Sequence, residues 1–287
     1  MFKKNPVSYI TLLLLLLVSA STYSSGINQI IRTQMWNIEQ SSDTLLQEGL
    51  AGSFFGKQGD WFILAGGANF PHGKPWEGGT KTFSKEIFIF SESNNLFQPI
   101  TVSNKLPFGV AEGAYVSTTK GLLCLGGQTS DGLSNKSILL NYNGQDVAVE
   151  TYPDLPFAVK NATAAIVSNK VYLLGGQTED GQSVNQFLIL DLNGLDKGWQ
   201  SLPDFPMSVS AATMSAQQDG EEISLFVFGG RAIGEDNLTN FYSSVYKYKP
   251  SKDEWTTKND IRLDETTPIQ LSMAVSAPIG ATHIALI

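Results

Sequence analysis

Four short apolar runs that each end in a double glycine, set roughly 50–60 residues apart, predict an all-β chain folded as a Kelch-type β-propeller. The runs are Trp61-Phe62-Ile63-Leu64-Ala65, Leu122-Leu123-Cys124-Leu125, Val171-Tyr172-Leu173-Leu174 and Leu225-Phe226-Val227-Phe228, and the paired glycines begin at Gly66, Gly126, Gly175 and Gly229. A second register repeats with them. Fourteen residues before the first glycine stand Gly52, Glu112 and Asn161, followed by small Ala, Gly and Ser residues that suit an innermost strand crowded around an axis. In the fourth unit the matching stretch starts at Met207-Ser208-Val209-Ser210, with an insertion around Gln217 to Glu222.

Taken in order, residues 1–20 read as a secretory signal peptide. Lys3 and Lys4 form the positive end, Tyr9 to Val18 the apolar core, and Val18-Ser19-Ala20 the small-residue cleavage site. Residues 21–48 form an N-terminal segment in which Met35-Trp36-Asn37-Ile38 reads as a ring-closing outer strand. Four complete blades follow over 49–103, 109–152, 158–202 and 208–257. Leu106-Pro107, Leu155-Pro156 and Leu202-Pro203 are expected to turn the chain into successive blades, because proline fixes the turn. Third strands are expected at Glu86 to Phe90, Ser137 to Leu140, Phe187 to Leu190 and Val245 to Tyr248. Trp199 and Trp255 mark fourth strands that lay a ring against their own blade. A partial blade over 271–287 has first and second strands at Leu271 to Val275 and His283 to Ile287. The next double glycine falls just past Ile287, so the ring is expected to be C-terminally truncated.

Composition narrows the chemistry. A net charge of −8 with three arginines, Arg32, Arg231 and Arg262, none in a basic cluster, argues against a nucleic-acid partner. Cys124 is the single cysteine, inside an apolar strand, so no intramolecular disulfide forms and the thiol reads as a small buried hydrophobe. The two histidines, His72 and His283, stand in no metal-ligand or Cys-His pattern. No metal and no cofactor are expected. The same poverty of Tyr, His and Cys ligand sets argues against a copper-bearing Kelch oxidase. The protein is expected to be periplasmic or secreted, with no membrane contact after signal cleavage and an undetermined oligomeric state.

The stretch Glu48-Gly49-Leu50-Ala51-Gly52, followed by GGANFPHGKPWEGGTK from Gly66 to Lys81, is more specific than the repeat. It resembles the cyclically permuted mutarotase family, Kelch propellers related to N-acetylneuraminate epimerase. The resemblance implies a six-bladed ring, export, and acceleration of anomer exchange in sialic acid, a small-molecule sugar acid. It also implies a catalytic Glu with an Arg a few residues on, in a later blade. No stretch here carries that pattern, and blade counting places it beyond Ile287, so no catalytic residue is assigned.

Mutarotation needs a base for the anomeric hydroxyl proton and an acid for the ring oxygen. It also gains from cations or N–H donors that hold the carboxylate. The end of a second strand and the start of a first strand share one face of a blade. Topology therefore gathers Glu48, Asn69, Glu77, Lys81, Glu112, Gln128, Gln177 and Arg231 on one rim of the channel. The candidate substrate-binding residues are Asn69, Glu77, Lys81, Glu112 and Arg231. Arg231 is placed to bind a carboxylate or to pair with Glu235 or Asp236. Glu77 lies in a long irregular loop of the kind that is functional or mobile. Glu112 stands where other units have smaller residues, either as a base or as the lining of a wet channel. Gln128 and Gln177 recur as strand-end braces, and His72 reads as an exposed loop residue. The competing function is a non-catalytic propeller that binds a glycan or protein partner, since this fold hosts both.

Overall fold

The computed structural model describes residues 49–287 except 94, 95 and 101. The signal segment, the strand expected around Trp36, and Glu48 lie outside the described residues. What is described is an all-β, propeller-like succession of antiparallel sheets. Blade 1 is built from Phe54–Gln58, Trp61–Ala65, Ile87–Ser93 and Leu96–Ile100. Blade 2 is Ala114–Thr118, Gly121–Leu125, Ser137–Tyr142 and Val147–Tyr152; blade 3 is Thr163–Val167, Lys170–Leu174, Phe187–Asp191 and Gln200–Ser201. Blade 4 is Thr213–Gln218, Ile223–Phe228, Val245–Lys249 and Glu254–Thr257, and a hairpin of Ser276–Ile279 and His283–Leu286 follows it. Helical structure among the described residues amounts to two short 3-10 turns, Pro75–Glu77 and Leu195–Lys197.

Second strands carry continuous apolar runs because blades pack on both of their faces. Gly121–Leu125 is buried at every position. Between blades 1 and 2, Phe54, Ile63 and Ile89 meet Leu122 and Leu140; between blades 2 and 3, Leu123 and Leu139 meet Val171 and Leu188. Between blades 3 and 4 the core turns aromatic, with Tyr172, Phe187, Phe205 and Tyr248 buried together.

The double glycines exist because the chain must pass between two blades there. The first N–H of each pair bonds to its own third-strand side, as in Gly126 to the Lys136 carbonyl at 2.9 Å. The second N–H crosses to the next blade: Gly67 to Val110, Gly127 to Val159 and Gly176 to Val209 at 2.8 Å, and Gly230 to Leu271 at 2.7 Å. Both glycines of a pair have positive φ, 63° and 105° at Gly175 and Gly176. A Cβ on Gly175 would lie 2.3 Å from the Val209 carbonyl oxygen. Gly175→Ala combines a left-handed alanine, about 1–2 kcal/mol, with displacement of that inter-blade stitch. We expect a fall in Tm of at least ~4 °C, given 2–4 °C per kcal/mol for a chain of this size. An unchanged melting curve would mean the carbonyl moves away freely.

The turn into blade 4 differs from expectation. Leu106, Leu155 and Phe205 donate N–H bonds to the Lys85, Asn135 and Asn185 carbonyls, and all three are buried. Phe205-Pro206 therefore does the work of Leu106-Pro107 and Leu155-Pro156, not Leu202-Pro203. The Pro203 carbonyl instead accepts the Trp255 indole N–H at 3.1 Å, as the Pro153 carbonyl accepts that of Trp199 at 2.9 Å. Each tryptophan thus reaches back to the preceding blade rather than lying on its own alone. The first strand of the last unit also shifts. Residues 271–275 form the approach, with Leu271 in the role of Val209, and the strand begins at Ser276.

Candidate functional site

The face that carries the strand-two ends is organised by backbone. Isolated bridges pair Ala51 with Ala68, Ala111 with Gln128, Lys160 with Gln177 and Ser210 with Arg231, joining each approach to a first strand to the residue after a double glycine. Nearer the axis, Gly52, Glu112, Asn161, Ala211 and Met273 all take left-handed conformations, with φ between 52° and 66°. They are chained by hydrogen bonds: Glu112 N–H to Gly52 O at 2.8 Å, Asn161 to Glu112 at 2.7 Å, Ala211 to Asn161 and Met273 to Ala211 at 2.8 Å. Gly52 answers to close approach, since a Cβ there would lie 2.9 Å from the Glu112 nitrogen. The first strands that follow enclose a cavity of about 580 Å³, lined by Tyr115, Thr163, Met214, Ser215 and Ser276 among others.

At the ring sits one charged cluster. Lys81 comes from the end of the long blade 1 loop and makes a short ion pair with Glu112. Lys160 reaches Glu112 from blade 3 at 3.3 Å and also donates to the Gln128 side-chain oxygen at 3.0 Å. The three charged side chains keep 29%, 21% and 23% exposure for Lys81, Glu112 and Lys160. Partial burial works to raise the Glu112 carboxyl, but the Lys81 hydrogen bond and the charges of Lys160 and Lys81 outweigh it and hold it below its ordinary value. Glu112 is therefore a firmly ionised carboxylate.

Arg231 opens the short strand Arg231–Ile233 on the same face. Its backbone is bonded both ways to Ser210, at 2.9 and 2.8 Å. The pairing weighed with Glu235 or Asp236 does not occur; Asp236 accepts the Leu238 N–H at 3.0 Å. Among the described residues the half-buried guanidinium has no ion pair or hydrogen-bond partner.

Glu77 and Gln177 are held within their own turns. Asn69 lies at the base of the long loop, opposite Thr82. Glu77 closes the 3-10 turn Pro75–Glu77, where its carboxylate accepts the Lys74 N–H at 3.1 Å. Gln177 braces its own turn through the Gly181 carbonyl at 2.6 Å, whereas Gln128 joins the charged cluster. His72 is exposed in the loop. Cys124 is fully buried and burial pushes its thiol well up. Lys160 was not among the candidates. Its signal was in the repeat: it occupies the register position held by Ala51, Ala111 and Ser210, and a lone lysine among small residues marks a special site.

Residues 152–287 match the N-acetylneuraminate epimerase family. Among curated relatives, the N-acetylneuraminate epimerase of Vibrio cholerae serotype O1 is 38% identical over 114 residues, covering 36% of this chain and 28% of that protein. The enzyme of the same name from Brucella suis is 36% identical over 109 residues, with the same shares. The aligned stretch thus spans 28% of the length of these relatives. The solved structure of YjhT superposes with a TM-score of 0.66 at 12% identity, covering 83% of this chain and 76% of that one. The chain is related in sequence to the N-acetylneuraminate epimerases and shares its fold with YjhT.

Proposed function

We propose that this protein is an exported sugar-acid mutarotase or epimerase that speeds anomer interconversion of N-acetylneuraminate. The observation that carries the reading is a group of cations beside the double-glycine ends: Lys81 and Lys160 meet at Glu112, and Arg231 has no ion-pair or hydrogen-bond partner among the described residues. The family match over residues 152–287 supports it, since Lys160 and Arg231 both lie inside that stretch. Export rests on the signal-like residues 1–20.

The chemistry fits an acid whose carboxylate is attached to the anomeric carbon. Ring opening removes the anomeric hydroxyl proton and protonates the ring oxygen as the bond between that oxygen and the anomeric carbon breaks. Closure on the other face of the ketone gives the other anomer. Gripping the carboxylate keeps the open-chain acid in the site while the ketone turns its other face to the ring hydroxyl, so both anomers meet the same proton-transfer groups. A guanidinium does this with two parallel N–H donors. The described cations supply this holding function.

Exchange spectroscopy by NMR tests the reading. Adding the full chain is expected to raise the exchange rate between N-acetylneuraminate anomers in proportion to protein concentration, with no effect on the anomers of neutral N-acetylmannosamine. Binding of N-acetylneuraminate without faster exchange would overturn the catalytic reading and favour a glycan-binding propeller. Trp76, 78% exposed on the blade 1 loop, is an aromatic surface such a module would use.

A further inference from the structure

We propose that Glu112 is a displaceable internal counter-ion, holding Lys81 and Lys160 until the carboxylate of an anionic sugar takes its place. The inference rests on the mutarotase reading for its ligand class and adds a role for a residue that the sequence offered as a base.

Three observations carry it. First, two ammonium groups from different blades converge on one carboxylate, leaving a net positive site that a second anion can enter. Second, the left-handed backbone at Glu112 is not there for the sake of its side chain. Gly52, Asn161, Ala211 and Met273 adopt the same conformation to carry the hydrogen-bonded ring. Glycine would serve that backbone at least strain, so the carboxylate is an addition to the ring and not a requirement of it. Third, all three side chains stay partly open at the ring, where exchange needs no passage through a dry interior. Replacing one carboxylate by another conserves the charge around the lysines, so the swap avoids the cost of stranding a cation. The lysines also oppose use of Glu112 as a base, since a carboxylate held ionised by two cations is a weak proton acceptor.

The test uses the full chain and methyl α-N-acetylneuraminoside, whose locked anomeric centre binds without reacting. Glu112→Gln removes the competing charge and is expected to tighten binding of this glycoside roughly two- to five-fold, the range for loss of a partly exposed ion pair. Glu112→Gly should do the same while relaxing the ring backbone, which guards against a folding defect in the glutamine variant. The double variant Lys81→Gln, Lys160→Gln should abolish the gain. Unchanged or weaker glycoside binding in both folded Glu112 variants would overturn the proposal. The two readings fail separately. Tighter glycoside binding without anomer exchange in the wild type would sink the enzyme and keep the counter-ion. Exchange with weaker binding in the Glu112 variants would do the reverse.

Discussion

Phe187→Ala is expected to remove about 3–5 kcal/mol of stability, the range for emptying a buried phenylalanine site. Phe187 is fully buried where blades 3 and 4 meet. Its ring lies 4.8 Å from Tyr248, 4.9 Å from Trp255 and 5.7 Å from Tyr172, centroid to centroid. Trp255 in turn packs 4.9 Å from Phe205 and donates its N–H to Pro203, so the cluster also fixes the turn into blade 4. Neighbouring rings are rigid and cannot collapse into the space as aliphatic side chains do, which places the cost toward the upper end. Tyr248 limits relaxation further, because its hydroxyl is tied to Asp253 at 2.6 Å. Urea unfolding followed by tryptophan fluorescence reads the effect: the midpoint should fall with the slope unchanged. A loss below 1 kcal/mol would show that the cluster repacks, and that blade contacts rest on the aliphatic layers instead.

Much of this architecture was legible because propeller blades impose local steric demands that leave few residue choices. A carbonyl 2.3 Å from where a Cβ would stand admits only glycine at Gly175, and the same demand recurs at Gly66, Gly126 and Gly229. Where the demand is looser the sequence misled. The turn into a blade wants a buried apolar residue before proline, and Phe205 satisfies it as well as Leu106 or Leu155. Leu202-Pro203 looked closer in letters but belongs to a fourth-strand end. Counting four residues back from Val110, Val159 and Val209, whose carbonyls accept the glycine N–H groups, finds the correct residue each time. The same counting explains the last hairpin, where Leu271 takes the valine role and pushes the strand on to Ser276.

The repeat register located Glu112 and Arg231 beside the double-glycine ends of their blades, yet which charges touch depends on side-chain reach between blades. Lys160 shows only by comparison across the repeat, as a lysine where Ala51, Ala111 and Ser210 stand in the other blades. Glu77 was a candidate because its loop is long and irregular, yet that loop is tight: a Cβ on Gly79 would lie 1.8 Å from the Gly73 carbonyl oxygen. The loop composition reported a backbone constraint, and the carboxylate closes that same turn.

On the proposed mutarotase reading, Arg231→Gln is expected to lower kcat/KM for N-acetylneuraminate about 10- to 100-fold, as loss of a charged hydrogen-bonding partner worth ~1.5–3 kcal/mol would. Glutamine is the right replacement because Gln128 and Gln177 hold the same register position in blades 2 and 3. The backbone should stay in place, since Ser210 binds it on both sides and the Ser210 hydroxyl adds a bond to the Arg231 carbonyl at 3.2 Å. Tm is therefore expected to hold within a degree or two while activity falls. Arg231→Lys separates charge from geometry. It keeps the cation but loses the fork, so it should recover attraction for the acid, seen in KM, more than turnover. A guanidinium that merely solvates the rim would give a different pattern: both variants would match wild type, and the loss of a carboxylate anchor would have to be sought at Lys81 and Lys160.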